Sequence, residues 1–317
     1  MTLTIAWVRK QGRVNELLLA SDSRLRFGIA WDACPKLFLT QRGDICFGFA
    51  GDTLYAYPLI TQAINQMELH RASSTREYDI YDSKGHISRQ FNEMLLHRGD
   101  LPTGQSEPDS PETLFAMVGY SWKRRDFAMW KVTFDKHSKT FHWNKCRGIR
   151  GVGRNLTLAV LGNPTMSESE RKEFRKAGKS VMPDGRKLLP KEEDVKVIAM
   201  KRIALLVQKK NKGGGFDGLD MEPFEVLRDL IREGVSPFVA GPPQLIKMYP
   251  NSSSQVIGVF WPNRQSKQVA VFGRPLLPYE RLDCPLLDPD SLETSFSFWE
   301  ERASLSHDAC TFVDYHI

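Results

Sequence analysis

The sequence predicts an α+β protein in which helices are layered on antiparallel sheets. Three observations carry this. The 317 residues are 41% apolar and 26% charged, a balance that can bury a substantial core and is unlike that of disordered, collagen-like or coiled-coil chains. The segments run in groups: strands, two helices, strands, helices, strands. Such segregation fits helices packed on antiparallel sheets, whereas a parallel Rossmann-type sheet would alternate strand and helix. No run of about 18 apolar residues occurs, so no transmembrane helix is expected.

Taken in order, Thr4–Val8 reads as a strand, 10–13 (KQGR) as a turn and Glu16–Ala20 as the return strand. Lys36–Thr40 and Asp44–Phe49 form a second hairpin around Gln41-Arg42-Gly43. The period then changes. From Thr53 to His70, Leu54, Tyr57, Leu59, Ile60, Ile64 and Met67 fit a helix, with Asp52 or Thr53 as its N-cap. A second helix is expected over 87–97, using Phe91, Met94 and Leu95, and 99–112 is a Pro/Gly/Ser-rich loop. Strands resume at 113–120, 127–134, 139–143 and 156–161, the last leading into Gly162-Asn163-Pro164. Helices are expected at 167–177, 194–209 and 221–233, with Gly213-Gly214-Gly215 as a break, and strands at 244–249, 256–261 and 268–272. Residues 275–317 are Pro-rich, then irregular, and read as a C-terminal extension to a domain spanning 1–274.

Forty-four Lys+Arg against 38 Asp+Glu give a formal charge of +6, too mild a surplus to indicate a nucleic-acid binder. Lys123-Arg124-Arg125 fits a charged hairpin turn, and 208–212 (QKKNK) a helix end whose dipole favours positive charge. The Gly213–Gly215 run lacks a following Gly-Lys-Ser/Thr and is a hinge, not a phosphate loop. The seven histidines show no metal-ligand spacing and no Cys-x-x-Cys occurs, so no metal or cofactor is expected. Five widely spaced cysteines and an N-terminus without a charged region before an apolar stretch read as a reducing, cytoplasmic setting.

The chemistry of interest begins at Thr2. Methionine aminopeptidase removes Met1 when a small residue such as Thr follows, and the chain would then begin with a free threonine. A Thr hydroxyl is a weak nucleophile until a base takes its proton. An N-terminal Thr carries that base itself, since an α-amine has a reference pKa of about 7.7–8.0. A nearby ammonium would lower that value and stabilise the alkoxide. A buried Lys close to Thr2, held by a carboxylate, is therefore the expected companion.

Four segments supply the pattern: 2–7 (TLTIAW), 19–24 (LASDSR), 35–38 (PKLF) and 49–52 (FAGD). Together they resemble the start of a proteasome-type β subunit, of the N-terminal nucleophile (Ntn) hydrolase family, which includes the bacterial ATP-dependent threonine peptidase subunit. The separations from Thr2 to Asp22, Lys36 and Gly51 are 20, 14 and 15 residues in turn. The first is stretched by a longer hairpin and the others are close to the family spacing. The likeness is good over 2–70, moderate over 113–163 and weak beyond.

The resemblance implies a four-layer αββα sandwich of antiparallel sheets, with a helical insertion at about 165–222. It implies Thr2 as nucleophile, its α-amine as base, Lys36 tuning the pKa of Thr2, Asp22 orienting Lys36 and the Gly51 N–H contributing to an oxyanion hole. Arg24 would brace the Asp22 loop. Cys34, Phe38, Phe49 and Thr53 match the first specificity pocket, which a bulky Phe49 would make shallow. The implied activity is amide-bond hydrolysis in peptides or proteins, in a homo-oligomeric ring that often needs an unfolding ATPase partner.

Two departures bear on this. The family has a supporting Ser in a Gly-Ser-Gly turn where this chain has Leu161-Gly162-Asn163. It also has an Asp and a Ser before a Gly-Gly pair, where 236–243 (SPFVAGPP) matches neither. Three alternatives stay open: a non-catalytic subunit or scaffold of the same fold, a hydrolase of small amides, and a basic binding module.

Overall fold

The first hairpin shows how the chain builds its core. In a strand successive side chains point to opposite faces, and here both faces are apolar. Strand β1 (Leu3–Gln11) sends Leu3, Ile5 and Trp7 into one cluster and Ala6 into another, and β2 (Val14–Ser21) sends Leu18 and Ala20 one way, Leu17 and Leu19 the other. The structure is a computed structural model and describes residues 2–11, 14–27, 29–101, 103–105, 108–146, 158–162, 195–210, 218–277 and 279–296.

The chain continues through β3 (Leu25–Phe27), β4 (Ile29–Trp31), β5 (Leu37–Leu39) and β6 (Ile45–Gly51) to α1 (Thr53–Leu69), the one-turn α2 (Arg71–Ser74) and α3 (Ile80–Met94). Then come β7 (Thr113–Ser121), β8 (Asp126–Asp135), β9 (Thr140–Lys145), β10 (Leu158–Gly162), α4 (Val195–Lys210) and α5 (Glu222–Arg232). The last strands are β11 (Gln244–Met248), β12 (Ser254–Phe260), β13 (Val269–Val271), β14 (Arg274–Pro275), β15 (Leu286–Leu287) and β16 (Thr294–Ser295). The class is α+β. Among the described residues, one sheet runs β10-β1-β2-β11-β12-β13-β14 with β15 and β16 attached, and a second runs β5-β6-β7-β8-β9. Among these described strands pairing is antiparallel except between β12 and β15.

The two sheets meet through Leu17, Leu19, Ile246 and Met248 on one side and Cys46, Ala50, Ala116, Val118 and Met129 on the other. The far face of the first sheet packs with α4 (Val195, Ala199, Ile203, Val207) and α5 (Phe224, Leu227, Leu230). The far face of the second (Ile45, Phe47, Phe49, Phe115, Met117, Trp130) packs with α1 and α3. Each fully buried large side chain contributes roughly 1.5–3 kcal/mol. Apolar demand on both faces is why 44–49 reads as DICFGF instead of alternating with polar residues.

Helix α1 begins where the sequence places it: Asp52 is the N-cap, its carboxylate accepting from Leu54 N at 2.9 Å. The expected turn at 10–13 is shorter, because β1 and β2 stay paired out to Gln11 opposite Val14. Helix α3 starts seven residues before the expected 87, behind an Asp79/Asp82 capping box. The β3–β4 hairpin and α2 were not expected. Residues 286–287 and 294–295 are strands, not irregular chain, and Leu286 and Leu287 are buried. The expected helix at 167–177, the 213–215 hinge and Asn163 lie outside the described residues.

Candidate functional site

Hairpin register collapses the sequence distance between Thr2 and Asp22. Thr4 pairs with Ser21, so Leu3 lies across from Asp22. The Leu3 N–H donates to Asp22 Oδ1 at 3.0 Å, and Asp22 N donates back to Leu3 O at 3.3 Å. Thr2 therefore sits one residue before β1 and Asp22 one residue after β2, at the same end of the first sheet.

Lys36 comes from the second sheet. It precedes β5, an edge strand, and its carbonyl accepts from Phe49 N at 3.3 Å. Its ammonium donates to Thr2 Oγ1 at 2.9 Å and to Asp22 Oδ2 at 2.8 Å. The Lys36 and Asp22 side chains are fully enclosed, and Thr2 is 3% exposed. Burial pushes the Lys36 ammonium below the ordinary lysine value, while the Asp22 carboxylate, through charge and hydrogen bond, opposes that shift. Asp22 is itself held by backbone N–H groups of Leu3, of Arg24 (3.1 Å) and of Ala240 (3.4 Å).

Arg24 holds the neighbouring loop. Its guanidinium makes a paired contact with Asp32, Nε to Oδ1 at 2.5 Å and one terminal nitrogen to Oδ2 at 2.7 Å, and also donates to Pro237 O at 3.1 Å. Ser23 Oγ reaches Asp32 O and Pro242 O, both at 2.8 Å, and Ser23 N donates to Ala240 O. The segment 236–243, in which the family's Asp and Ser are not clearly matched, thus meets the Asp22 loop mainly through its backbone. Gly241, at φ +77°, is required there, since a Cβ would lie 2.4 Å from Ser23 Oγ.

Gly51 ends β6 at φ +110°, where a Cβ would fall 2.1 Å from Glu112 O. It follows Phe49 by two residues, and the Phe49 carbonyl accepts from Thr4 Oγ1 at 2.8 Å. That bond ties β6 to β1 two residues beyond Thr2. Asn163 lies outside the described residues, but Gly162 pairs with Leu3 and so brings the end of β10 beside the start of β1.

Of the four expected pocket residues, Phe38 and Phe49 pack together with ring centroids 6.3 Å apart. Tyr57, expected only as part of the helix stripe, stands against both at 5.9 and 5.6 Å, and its hydroxyl donates to Pro35 O. Burial raises the Tyr57 phenol above its ordinary value. Phe49 is fully buried in the cluster shared with α1 and α3. Thr53 opens α1, and Cys34 is buried with its thiol raised by desolvation. A groove of about 850 Å³ runs past β5, with Pro35, Phe38, Val271, Phe272 and Arg274 in its lining; of the four it includes Phe38 alone.

Among the described residues no cluster of His, Cys, Asp and Glu could hold a metal ion, and no helix is long and apolar enough to cross a membrane. No protein-family model matches the chain, and no curated protein matches it. The arrangement can do one thing plainly: it holds a threonine hydroxyl against a lysine ammonium whose charge is compensated by a buried carboxylate.

Proposed function

We propose that the chain is an amide-bond hydrolase of the threonine N-terminal nucleophile type, with the four-layer αββα arrangement of that family, acting on peptides or proteins. One observation carries the proposal: the buried Thr2–Lys36–Asp22 relay, with Lys36 Nζ 2.9 Å from the hydroxyl and 2.8 Å from the carboxylate. The two sheets packed face to face, each with helices on its far face, support the fold.

Removal of Met1 frees the Thr2 α-amine. As Thr2 Oγ attacks the substrate carbonyl carbon, the amine takes the hydroxyl proton. The Lys36 ammonium stabilises the negative charge that grows on Oγ, and Asp22 keeps that ammonium charged and in place. The carbonyl oxygen becomes an oxyanion facing the Gly51 N–H. Collapse breaks the C–N bond, the leaving amine receives the proton held by the α-amine, and an ester on Thr2 remains. Water, deprotonated by the same amine, cleaves the ester and restores Thr2. The resemblance implies a homo-oligomer that encloses the site, a type of assembly that often, but not always, takes its substrate from an unfolding ATPase. Native mass separates that assembly from a hydrolase of small amides working as a single chain.

Asn163 in the place of the family's supporting Ser favours a second reading, a non-catalytic subunit. Intact mass before and after exposure to a peptide epoxyketone, which needs both the Thr hydroxyl and the free amine, decides between them. Loss of Met1 and one adduct, absent in Thr2→Ala, is the expected result. Retained Met1 overturns the catalytic reading, and Met1 removed with no adduct favours the silent subunit.

A further inference from the structure

Gln244 is a polar residue at the head of an otherwise mostly apolar strand, and it is 1% exposed. A buried carboxamide costs free energy unless it is hydrogen-bonded. It offers two N–H donors and two acceptor lone pairs, and here all four are used. Oε1 accepts from Lys36 N at 3.0 Å and Leu37 N at 3.3 Å, and Nε2 donates to Cys34 O at 2.7 Å and Asp22 O at 3.3 Å. The amide has one workable orientation, because turning it over would set its NH₂ against two N–H groups and its oxygen against two carbonyls.

The targets of these bonds give them meaning. Lys36 belongs to the edge of the second sheet and Asp22 to the first, so their 2.8 Å contact depends on how the two sheets sit against each other. Gln244 starts β11, paired with Ser21 beside Asp22, and its side chain crosses to the backbone on both sides of Lys36. Apolar contacts between sheets fix spacing but are non-directional; four hydrogen bonds fix position. Gly273 makes room for this, since a Cβ there would lie 3.2 Å from Gln244 Nε2 and 2.2 Å from Ser23 Cβ.

We propose that Gln244 is a positioning residue: its carboxamide sets where Lys36 stands relative to Asp22 and Thr2, and thereby the reactivity of the Thr2 hydroxyl. The second half rests on the hydrolase reading; the first does not.

The test uses the full chain and three variants, Gln244→Met, Gln244→Glu and Lys36→Met. The pH dependence of Thr2 modification by a peptide epoxyketone is measured well below each melting temperature. Alongside it, the Lys36 side-chain ¹³C resonance, assigned by its loss in Lys36→Met, is titrated by NMR. Gln244→Met keeps the length and removes all four bonds. It should modify Thr2 about 100-fold more slowly, the penalty expected of an ångström-scale misplacement, with reversible probe binding unchanged. Its pH–rate profile and Lys36 titration should both be displaced. Gln244→Glu keeps the two acceptor contacts and should fall between, and it carries the comparison if Gln244→Met does not fold.

A folded variant with wild-type rate, pH profile and Lys36 titration overturns the proposal, whatever its loss in melting temperature, because a purely structural role predicts that pattern. If the wild type itself forms no adduct, the hydrolase reading fails separately. The Lys36 titration then decides Gln244 alone: displacement supports the positioning role and coincidence with wild type ends it.

Discussion

Lys36 is held by opposing forces. Burial disfavours its charge and holds its pKa below the ordinary lysine value, and Asp22 opposes that shift. Breaking a buried ion pair from one side typically costs about 3–5 kcal/mol, because the other charge is left behind. Lys36→Met should therefore lower urea stability by roughly 3 kcal/mol, the low end, since the backbone N–H groups of Leu3, Arg24 and Ala240 still hold Asp22. The double variant with Asp22→Asn should recover part of the loss, and a double-mutant cycle with no coupling would contradict the buried pair. The Arg24–Asp32 pair makes a smaller, pH-dependent contribution. The hydrogen bond from Arg24 holds the Asp32 carboxyl below its ordinary 3.8. A depressed folded-state value means the contribution is complete above 3.8 and lost as pH falls through the folded value. Asp32 is 43% exposed, so screening keeps the pair in the range of about 0–1 kcal/mol. Asp32→Asn should cost that much at pH 7 and progressively less as the pH falls below 3.8, in melts at low salt. At this scale Thr2, Asp22 and Lys36 were legible because each stands at a strand end within a recognisable run. Gln244 was not, and Tyr57 was legible only as part of the helix stripe. Gln244 finds its partners 207 to 222 positions away, and no local pattern marks a lone glutamine at a strand start.

Individual elements were legible where period and cap agree. Helix α1 has both: of the expected stripe Leu59, Ile60 and Met67 are buried, joined by Ala56 and Ala63, while Leu54 is exposed, and Asp52 caps it. Helix α3 hid its first two turns, because between Ile80 and Ile87 the chain reads Tyr-Asp-Ser-Lys-Gly-His, whose one buried member is Ser83, and the N3 residue of its capping box is Asp82 in place of the usual Glu or Gln. The β3–β4 hairpin was illegible for the opposite reason: Ile29, Ala30 and Trp31 are apolar and exposed, so no buried face imposes a period. The α3 cap also fastens the helix to the second sheet. Asp79 accepts from Tyr81 N at 3.3 Å and from Ser121 Oγ at 2.9 Å at the end of β7. Asp79→Ala removes a cap worth about 0.5–2 kcal/mol and strands a buried serine hydroxyl, worth about 1 kcal/mol more. A loss of roughly 2 kcal/mol in chemical denaturation is expected. Asp82→Ala, which keeps the Asp79 side chain, should cost less than half of that; equal losses would show that the Ser121 contact contributes nothing.

Across the whole molecule, the sheet that carries Thr2 and Asp22 is completed from the far end of the chain. β11, which holds Gln244, pairs on one side with β2 and on the other with β12. β12 in turn takes β15 as a parallel neighbour, Gly258 opposite Leu286 and Val259 opposite Leu287. Leu287 enters the cluster shared with α4 and α5, while Leu286 joins Phe260, Val269 and Cys284 in a smaller one. Arg228 of α5 donates to Pro289 O, and Arg232 pairs with Asp290 at 2.7 Å. Short, Pro-flanked and two residues long, β15 leaves no period in the sequence, so its partnership could be found only in three dimensions. The two leucines alone account for about 3–6 kcal/mol of burial, a large share of the 5–15 kcal/mol that holds an ordinary domain together. A chain ending at residue 274 should therefore melt at a much lower temperature and bind a hydrophobic dye. Because the strand that loses its neighbour adjoins the one holding Gln244, the same truncation should slow epoxyketone modification of Thr2 in whatever fraction stays folded. The point variant Leu286→Ala, which keeps the backbone pairing, separates the two effects: it should lower the melting temperature and leave the modification rate of the folded protein unchanged. If the truncated chain instead melts within a few degrees of the full-length protein, β15 is dispensable and the first sheet is complete without it.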